Sequence, residues 1–155
     1  MKFKMRNLII IVSTFFFTGY FPFAPGTFAT LCFLPFYYFF FKNLSPVTYF
    51  VITVLLYFLG VWSSSYATTI YNKKDPSKVV IDEIVGFLVT MMFVPYTLNR
   101  MIVGFFIARI LDIIKPFPAR KLESLRAGNG IMIDDVISGI YVNILMWLLI
   151  FFKIL

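Results

Sequence analysis

A chain of 155 residues and 18.0 kDa is long enough for one domain, yet 61% of it is hydrophobic, 21% aromatic and only 14% charged, with a mean hydropathy of +0.91. Roughly a quarter of the residues in a water-soluble globule are charged, so this composition excludes an ordinary soluble surface and makes the bilayer the expected solvent. The absence of histidine removes imidazole bases, histidine zinc ligands and phosphohistidine intermediates, and the single Cys32 precludes an intramolecular disulfide or a cysteine-rich metal site. A net charge of +7 in so apolar a chain fits anionic lipid and cytoplasmic loops, not nucleic acid.

Lys2, Lys4 and Arg6 precede a stretch, residues 7–41, that carries no charge but is interrupted by Pro22, Pro25, Pro35, Gly19 and Gly26. It predicts a first apolar helix over residues 7 to about 20, a turn over 18–26, and a second helix capped by Thr27 and running to Phe41. A signal peptide is the rival reading of the start, but no small-x-small cleavage site follows it cleanly. Residues 43–72 are again uncharged and form the strongest spanning candidate. Segments 84–98, 101–114 and 136–152 complete the set. At about 14–17 residues these three reach roughly 21–26 Å, short of a ~30 Å hydrocarbon core. The expected fold is all-α, a multi-pass helical membrane protein of about four to six short apolar helices in a single domain over residues 1–155. If the N-terminus and the 72–83 and 115–135 loops share one side, that side holds Lys2, Lys4, Arg6, Lys73, Lys74, Lys78, Lys115, Arg120, Lys121 and Arg126. The other side keeps Lys42, Arg100 and Lys153, so the positive-inside rule places the two loops in the cytoplasm. All seven acids lie between Asp75 and Asp135, on or near that same face.

Three places set carboxylates beside apolar helix. Asp82-Glu83-Ile84-Val85-Gly86 opens a helix with two adjacent acids, and Gly86, one turn on, leaves the neighbouring face uncrowded. Capping is the structural alternative, because acids favour a first helical turn. In Arg109-Ile110-Leu111-Asp112-Ile113-Ile114-Lys115-Pro116 the charged residues recur every third position along one stripe. An arginine and an acid inside a membrane segment cost about 2.5–3.5 kcal/mol each on insertion scales, so they need partners or a function. Gly128-Asn129-Gly130-Ile131-Met132-Ile133-Asp134-Asp135 reads as a glycine turn followed by two acids at the mouth of the last helix. Topology gathers Asp82, Glu83, Asp112, Asp134 and Asp135 at one face, more negative charge than can be held without a counter-ion. With no histidine and no thiolate cluster, oxygen-only ligation points to Mg²⁺. Arg109, Lys115 and Arg120 supply positive groups suited to phosphate, and carboxylates, a divalent cation and cationic clamps together describe phosphoryl transfer.

The blocks Ala24-Pro25-Gly26-Thr27, Asp82-Glu83-x-x-Gly86, Arg109-x-x-Asp112-x-x-Lys115-Pro116-x-Pro118 and Gly130-Ile131-Met132-x-Asp134-Asp135 resemble, in order and spacing, those of the phosphatidylglycerophosphatase A family, over about residues 19–139. The resemblance implies a Mg²⁺-dependent phosphatase of the bacterial cytoplasmic membrane, its site facing the cytoplasm, that converts phosphatidylglycerophosphate to phosphatidylglycerol and inorganic phosphate. Cys32 is not followed by arginine five residues on, histidine is absent and no Asp-x-Asp occurs, so the nucleophile motifs of other phosphatase classes are missing. In the expected mechanism Asp82, Glu83, Asp134 and Asp135 include the Mg²⁺ ligands, while Asp112 or one of the acidic pair is the base or orienter for an in-line water attack, a covalent aspartyl-phosphate being the alternative. Arg109 and Lys115 neutralise the phosphoryl oxygens, with Arg120 and Thr27 as further phosphate contacts. A small membrane lipid kinase would need a glycine-rich phosphate loop with lysine, which the chain lacks. A non-catalytic transport or assembly subunit is the other rival. Membrane lipids are the expected partners, and oligomeric state, a homo-oligomer included, stays open.

Overall fold

In a computed structural model, which describes residues 3–114, 117, 119–122, 125 and 127–155, the described residues are helical with short connections and contain no strand. The helices are α1 (Phe3–Ser13), α2 (Pro25–Phe36), α3 (Pro46–Tyr71), α4 (Ile81–Thr90), α5 (Leu98–Ile114), α6 (Ala119–Leu122) and α7 (Gly128–Phe151).

Local chemistry sets the ends of α3. The Ser45 side chain accepts a hydrogen bond from the Thr48 amide at 3.2 Å, Pro46 occupies the first turn, and Asn72 closes the helix in the left-handed region at φ 51°. The 26 residues of α3 and 24 of α7 reach about 39 and 36 Å, and both are apolar enough to cross a membrane. Only 28% of the apolar stretch of α3 and 33% of that of α7 is buried, whereas the core helix of a soluble protein is mostly covered. Phe39, Leu55, Phe58, Phe106, Ile113 and Phe151 likewise face outward.

The ten-residue α4 is the hub. It packs on α2, α3, α5 and most extensively on α7, and Ile81, Ile84, Val85, Phe87 and Leu88 are all buried. Past its acidic first turn, residues 84–88 are buried on every side, as in a helix that protein surrounds. It stops at Thr90, eight residues before the end that hydropathy predicts, because its last carbonyls find side-chain partners. Tyr49 Oη donates to Leu88 O at 2.7 Å, and Asn143 Nδ2 donates to Thr90 O and Met92 O at 2.9 and 2.8 Å.

Three further boundaries depart from expectation. The first helix ends at Ser13 and not near residue 20, since Phe15, Phe16 and Phe17 all take positive φ before a single 3₁₀ turn at Thr18–Tyr20. Thr27 is not a cap: α2 starts at Pro25, and Ala24 occupies the cap position with φ 45° and no side-chain bond. The helix absorbs Pro35 and widens into a π turn at Tyr37–Phe41, where the Lys42 amide reaches back five residues to Tyr37 O at 3.1 Å. Finally α7 begins at Gly128, eight residues before the predicted start, so Asp134 and Asp135 sit inside the helix instead of at its mouth. The interval Gly128–Asp135 lacks apolar continuity, and hydropathy therefore understates the helix.

Candidate active site

The N-terminal ends of α2, α4 and α7, the C-terminal end of α5 and the α3–α4 connection converge on one cavity of about 590 Å³. Ala24, Pro25, Gly26 and Thr27, then Asp82 and Glu83, then Arg109 and Asp112, then Asp134 and Asp135 all line it. Four sequence blocks separated by more than a hundred residues thus form one wall.

Two close approaches make that possible. Gly86 lies against Asp135, where a Cβ would stand 3.0 Å from its carbonyl oxygen and 3.1 Å from its Cβ. Gly139 meets the Gly86 carbonyl in the same way, so α4 and α7 touch backbone to backbone and Asp135 comes beside Glu83. Gly26, in the first turn of α2, rests directly on the Glu83 carboxylate, with no room for even a methyl group. Gly26→Ala should therefore push Glu83 aside and, in the phosphatase reaction that the resemblance implies, reduce turnover by about tenfold or more, a misplacement effect on chemistry. The check is kcat of the purified variant, with detergent-solubilised yield as the control for folding.

Glu83, Asp112 and Asp135 bring one carboxylate oxygen each within 4.8 Å of one another. Arg109 forms an ion pair with Glu83 and lies 3.6 Å from Asp112, so it bridges two helices instead of simply neutralising its own neighbour. Both ion-pair side chains are largely buried, at 11% and 16% exposure, which keeps the attraction from being screened away by water. Asp134 and Asp135 are each only 5% exposed. Asp82 and Glu83 stand in the first turn of α4, where acids suit the helix dipole, but neither is its cap: Val80 holds that position with no side-chain cap bond, and Asp82 Oδ1 is buried without a hydrogen-bond partner.

Asp82 and Glu83 precede the apolar body of α4 and lie outside both spanning-length helices. Burial, then the charges of Glu83, Asp134 and Asp75, raises the Asp82 carboxyl well above its usual range. Burial also raises Glu83, to about 7, even though Arg109 pulls it down. Among the described residues the cavity is lined by the acids Asp75, Asp82, Glu83, Asp112, Asp134 and Asp135 and by the cations Lys74 and Arg109, an excess of negative charge.

Helix termini add to the picture. The first-turn amides of α2, at Gly26 and Thr27, have no intrahelical acceptor and lie on the cavity, an arrangement that favours an anion. Ala24 and Ala127, the residues leading into α2 and α7, both take positive φ on the cavity wall. Such backbone strain costs about 1–3 kcal/mol per residue and tends to collect at functional sites.

Of the residues expected from sequence, Asp82, Glu83, Arg109, Asp112, Asp134, Asp135 and Thr27 line this one cavity. The close carboxylate trio contains Asp112 with Glu83 and Asp135, while Asp82 and Asp134 stand elsewhere on the wall. Lys115 and the side chain of Arg120 lie outside the described residues. Lys74, Asp75 and Ser77, from the α3–α4 connection, also line the cavity and were not expected. The only sequence sign of Lys74 was its place in a basic loop on the acidic face.

The phosphatidylglycerophosphatase A family profile matches residues 11–150 of the chain. A protein of Bacteroides thetaiotaomicron named "Putative phosphatidylinositol-3-phosphatase" is 35% identical over 89% of this chain and 91% of its own length. Proteins named phosphatidylglycerophosphatase A from Escherichia coli and Haemophilus influenzae are 32% and 30% identical, over 90% and 94% of this chain and 81% and 91% of theirs. No solved structure matches. With the profile covering nearly the whole chain and its four acidic and turn blocks meeting in one cavity, the chain belongs to the phosphatidylglycerophosphatase A family.

Proposed function

We propose that this chain is a membrane-embedded phosphatase that hydrolyses the terminal phosphate monoester of phosphatidylglycerophosphate, releasing phosphatidylglycerol and inorganic phosphate. Family membership supports the reaction class and the substrate. The observation that carries the site is the trio Glu83, Asp112 and Asp135 with Arg109 bonded across it. The enzyme is multi-pass, with the cavity on the cytoplasmic side, as the distribution of lysine and arginine favours.

A Mg²⁺ ion fits these donors: three carboxylate oxygens within reach of one centre, all hard, with a charge excess that Arg109 does not balance. Glu83, Asp112 and Asp135 would hold it. When bound, it supplies charge neutralisation and Lewis acidity toward a phosphoryl oxygen.

The protein's own groups do the rest. Arg109, held in place by Glu83, presents guanidinium N–H groups to the equatorial phosphoryl oxygens. The Gly26 and Thr27 amides at the start of α2 receive another oxygen, and the Thr27 hydroxyl lines the same wall. Asp82, whose buried Oδ1 is unpartnered, accepts the proton of the water that attacks in line. Burial of this wall excludes bulk water from the charges that change during reaction.

Purified protein in detergent micelles, given phosphatidylglycerophosphate and Mg²⁺ without nucleotide, should release inorganic phosphate. Chelation with EDTA should remove at least ~99% of the rate, and added Mg²⁺ should restore it. A strict need for ATP would instead support a kinase, and no release under any condition a non-catalytic role. A second reading concerns the head group alone: the similarity to the Bacteroides protein favours testing a phosphatidylinositol phosphate as a competing substrate.

A further inference from the structure

The cavity is far larger than one phosphate group, and its polar lining falls into two parts. One is the wall of carboxylates with Arg109. The other is Lys74, Asp75 and Ser77, carried by the connection between α3 and α4. Apolar Val79, Ile113, Leu125 and Ile131 complete the lining and suit the start of a lipid's glycerol and acyl region.

Lys74 is exposed into this space, and among the described residues no carboxylate forms an ion pair with it. The loop that carries it is nonetheless fixed. The Val80 amide donates to Ser13 O at 2.9 Å, and Gly19 packs directly on the Lys78 carbonyl. The Tyr20 and Tyr71 hydroxyls are 2.8 Å apart, with the Lys78 ammonium 4.5 Å from the Tyr20 ring centre and 5.3 Å from that of Tyr71. Three connections therefore staple residues 13–20 to 71–80 on either side of Lys74. A cation on an anchored loop that lines the same cavity as Arg109, to which the proposed function gives the monoester phosphate, is placed for a second anion.

We infer that Lys74 and Ser77 form a subsite for the internal phosphodiester of a lipid that carries both a diester and a terminal monoester phosphate. This rests on the proposed function and extends it to head-group selection: Arg109 and the carboxylates take the monoester, and Lys74 takes the charge that separates such a lipid from phosphatidate, which has a monoester alone. Both head groups considered above, glycerophosphate and phosphoinositide, contain this pair of phosphates. Lys74 acts in binding, because the diester is unchanged by the reaction.

The test compares phosphate release from phosphatidylglycerophosphate and from phosphatidate in detergent micelles by the wild type, Lys74→Ala, Lys74→Arg and Ser77→Ala. The wild type should prefer the two-phosphate lipid. Lys74→Ala should lower kcat/KM for that lipid by about 10- to 100-fold, through KM with kcat little changed, as expected for one lost charge-assisted contact. Phosphatidate turnover should stay as it was, Lys74→Arg should recover most of the loss, and Ser77→Ala should give a smaller KM effect. Unchanged kcat/KM for phosphatidylglycerophosphate in Lys74→Ala, or an equal loss on both lipids, overturns the inference while leaving the proposed function intact. If the wild type releases phosphate from neither lipid, the proposed function itself falls, and the subsite with it.

Discussion

Asp135→Asn should abolish phosphate release, with kcat falling by at least about two to three orders of magnitude. Asp135 is 5% exposed and belongs to the close carboxylate trio, so asparagine keeps its volume while removing one negative charge and one anionic oxygen from the centre. Because α7 continues well beyond this point and packs on α3, α4 and α5, the substitution should leave membrane insertion and detergent extraction unchanged. Asp112→Asn should behave in the same way, although it arrives from a different helix. The measurement is phosphate release at saturating lipid and Mg²⁺, with gel-filtration profiles as the control. Near-normal kcat in either variant would take that residue out of the metal-binding set.

Arg109→Ala should be as damaging, for a different reason. The guanidinium pairs with Glu83, neighbours Asp112 and faces the cavity, so its removal takes away a phosphate ligand and leaves an acidic cluster less neutralised. An arginine that stabilises a phosphoryl-transfer transition state is worth roughly 10³-fold or more in kcat, which sets the expected loss. Arg109→Lys separates the two roles. Lysine restores the charge but cannot present a planar fork to both Glu83 and a phosphoryl group. It should recover yield and thermal stability in detergent while kcat remains at least ~10-fold down. Full recovery of kcat by lysine would reduce Arg109 to a bulk charge. Loss of folded protein in both variants would make it a structural strut between α4 and α5.

The two predictions draw on different parts of the sequence record. Arg109 and Asp112 stand out in any reading of the chain, because ionic groups flanked by isoleucine, leucine and alanine in an apolar segment have no cheap explanation. The spacing also hinted at an ion pair within the helix. That pair with Asp112 is present at 3.6 Å, and what the spacing concealed is that Arg109 also pairs with Glu83, 26 positions away in sequence and on another helix. Asp134 and Asp135 were legible as a pair but were set at a helix mouth, since the apolar pattern begins after them. The observed start at Gly128 moves them a full turn or more inside α7, where a close contact with Gly86 fixes the position of Asp135.

The connection carrying Lys74 illustrates the opposite limit. Its composition, Asn72-Lys73-Lys74-Asp75-Pro76-Ser77-Lys78, is that of an ordinary basic surface loop, and nothing local marks one lysine over the others. Only the contacts that bind it to residues 13–20 show that Lys74 faces the cavity while Lys78 lies over two tyrosine rings.

By itself the sequence pointed to the bilayer, with too few charges for water, and determined the helical class and the chemistry available: no histidine, one cysteine, and carboxylates confined to one stretch of the chain. Those follow from composition and short-range pattern, which are properties of neighbouring residues. The tertiary structure decided which carboxylates meet. Glu83, Asp112 and Asp135 come from three helices, and their convergence depends on how closely α4 approaches α7 and where α2 begins. That distance is set by glycines without side chains, Gly26, Gly86 and Gly139, whose effect is an absence of atoms and becomes visible only when something else fills the space.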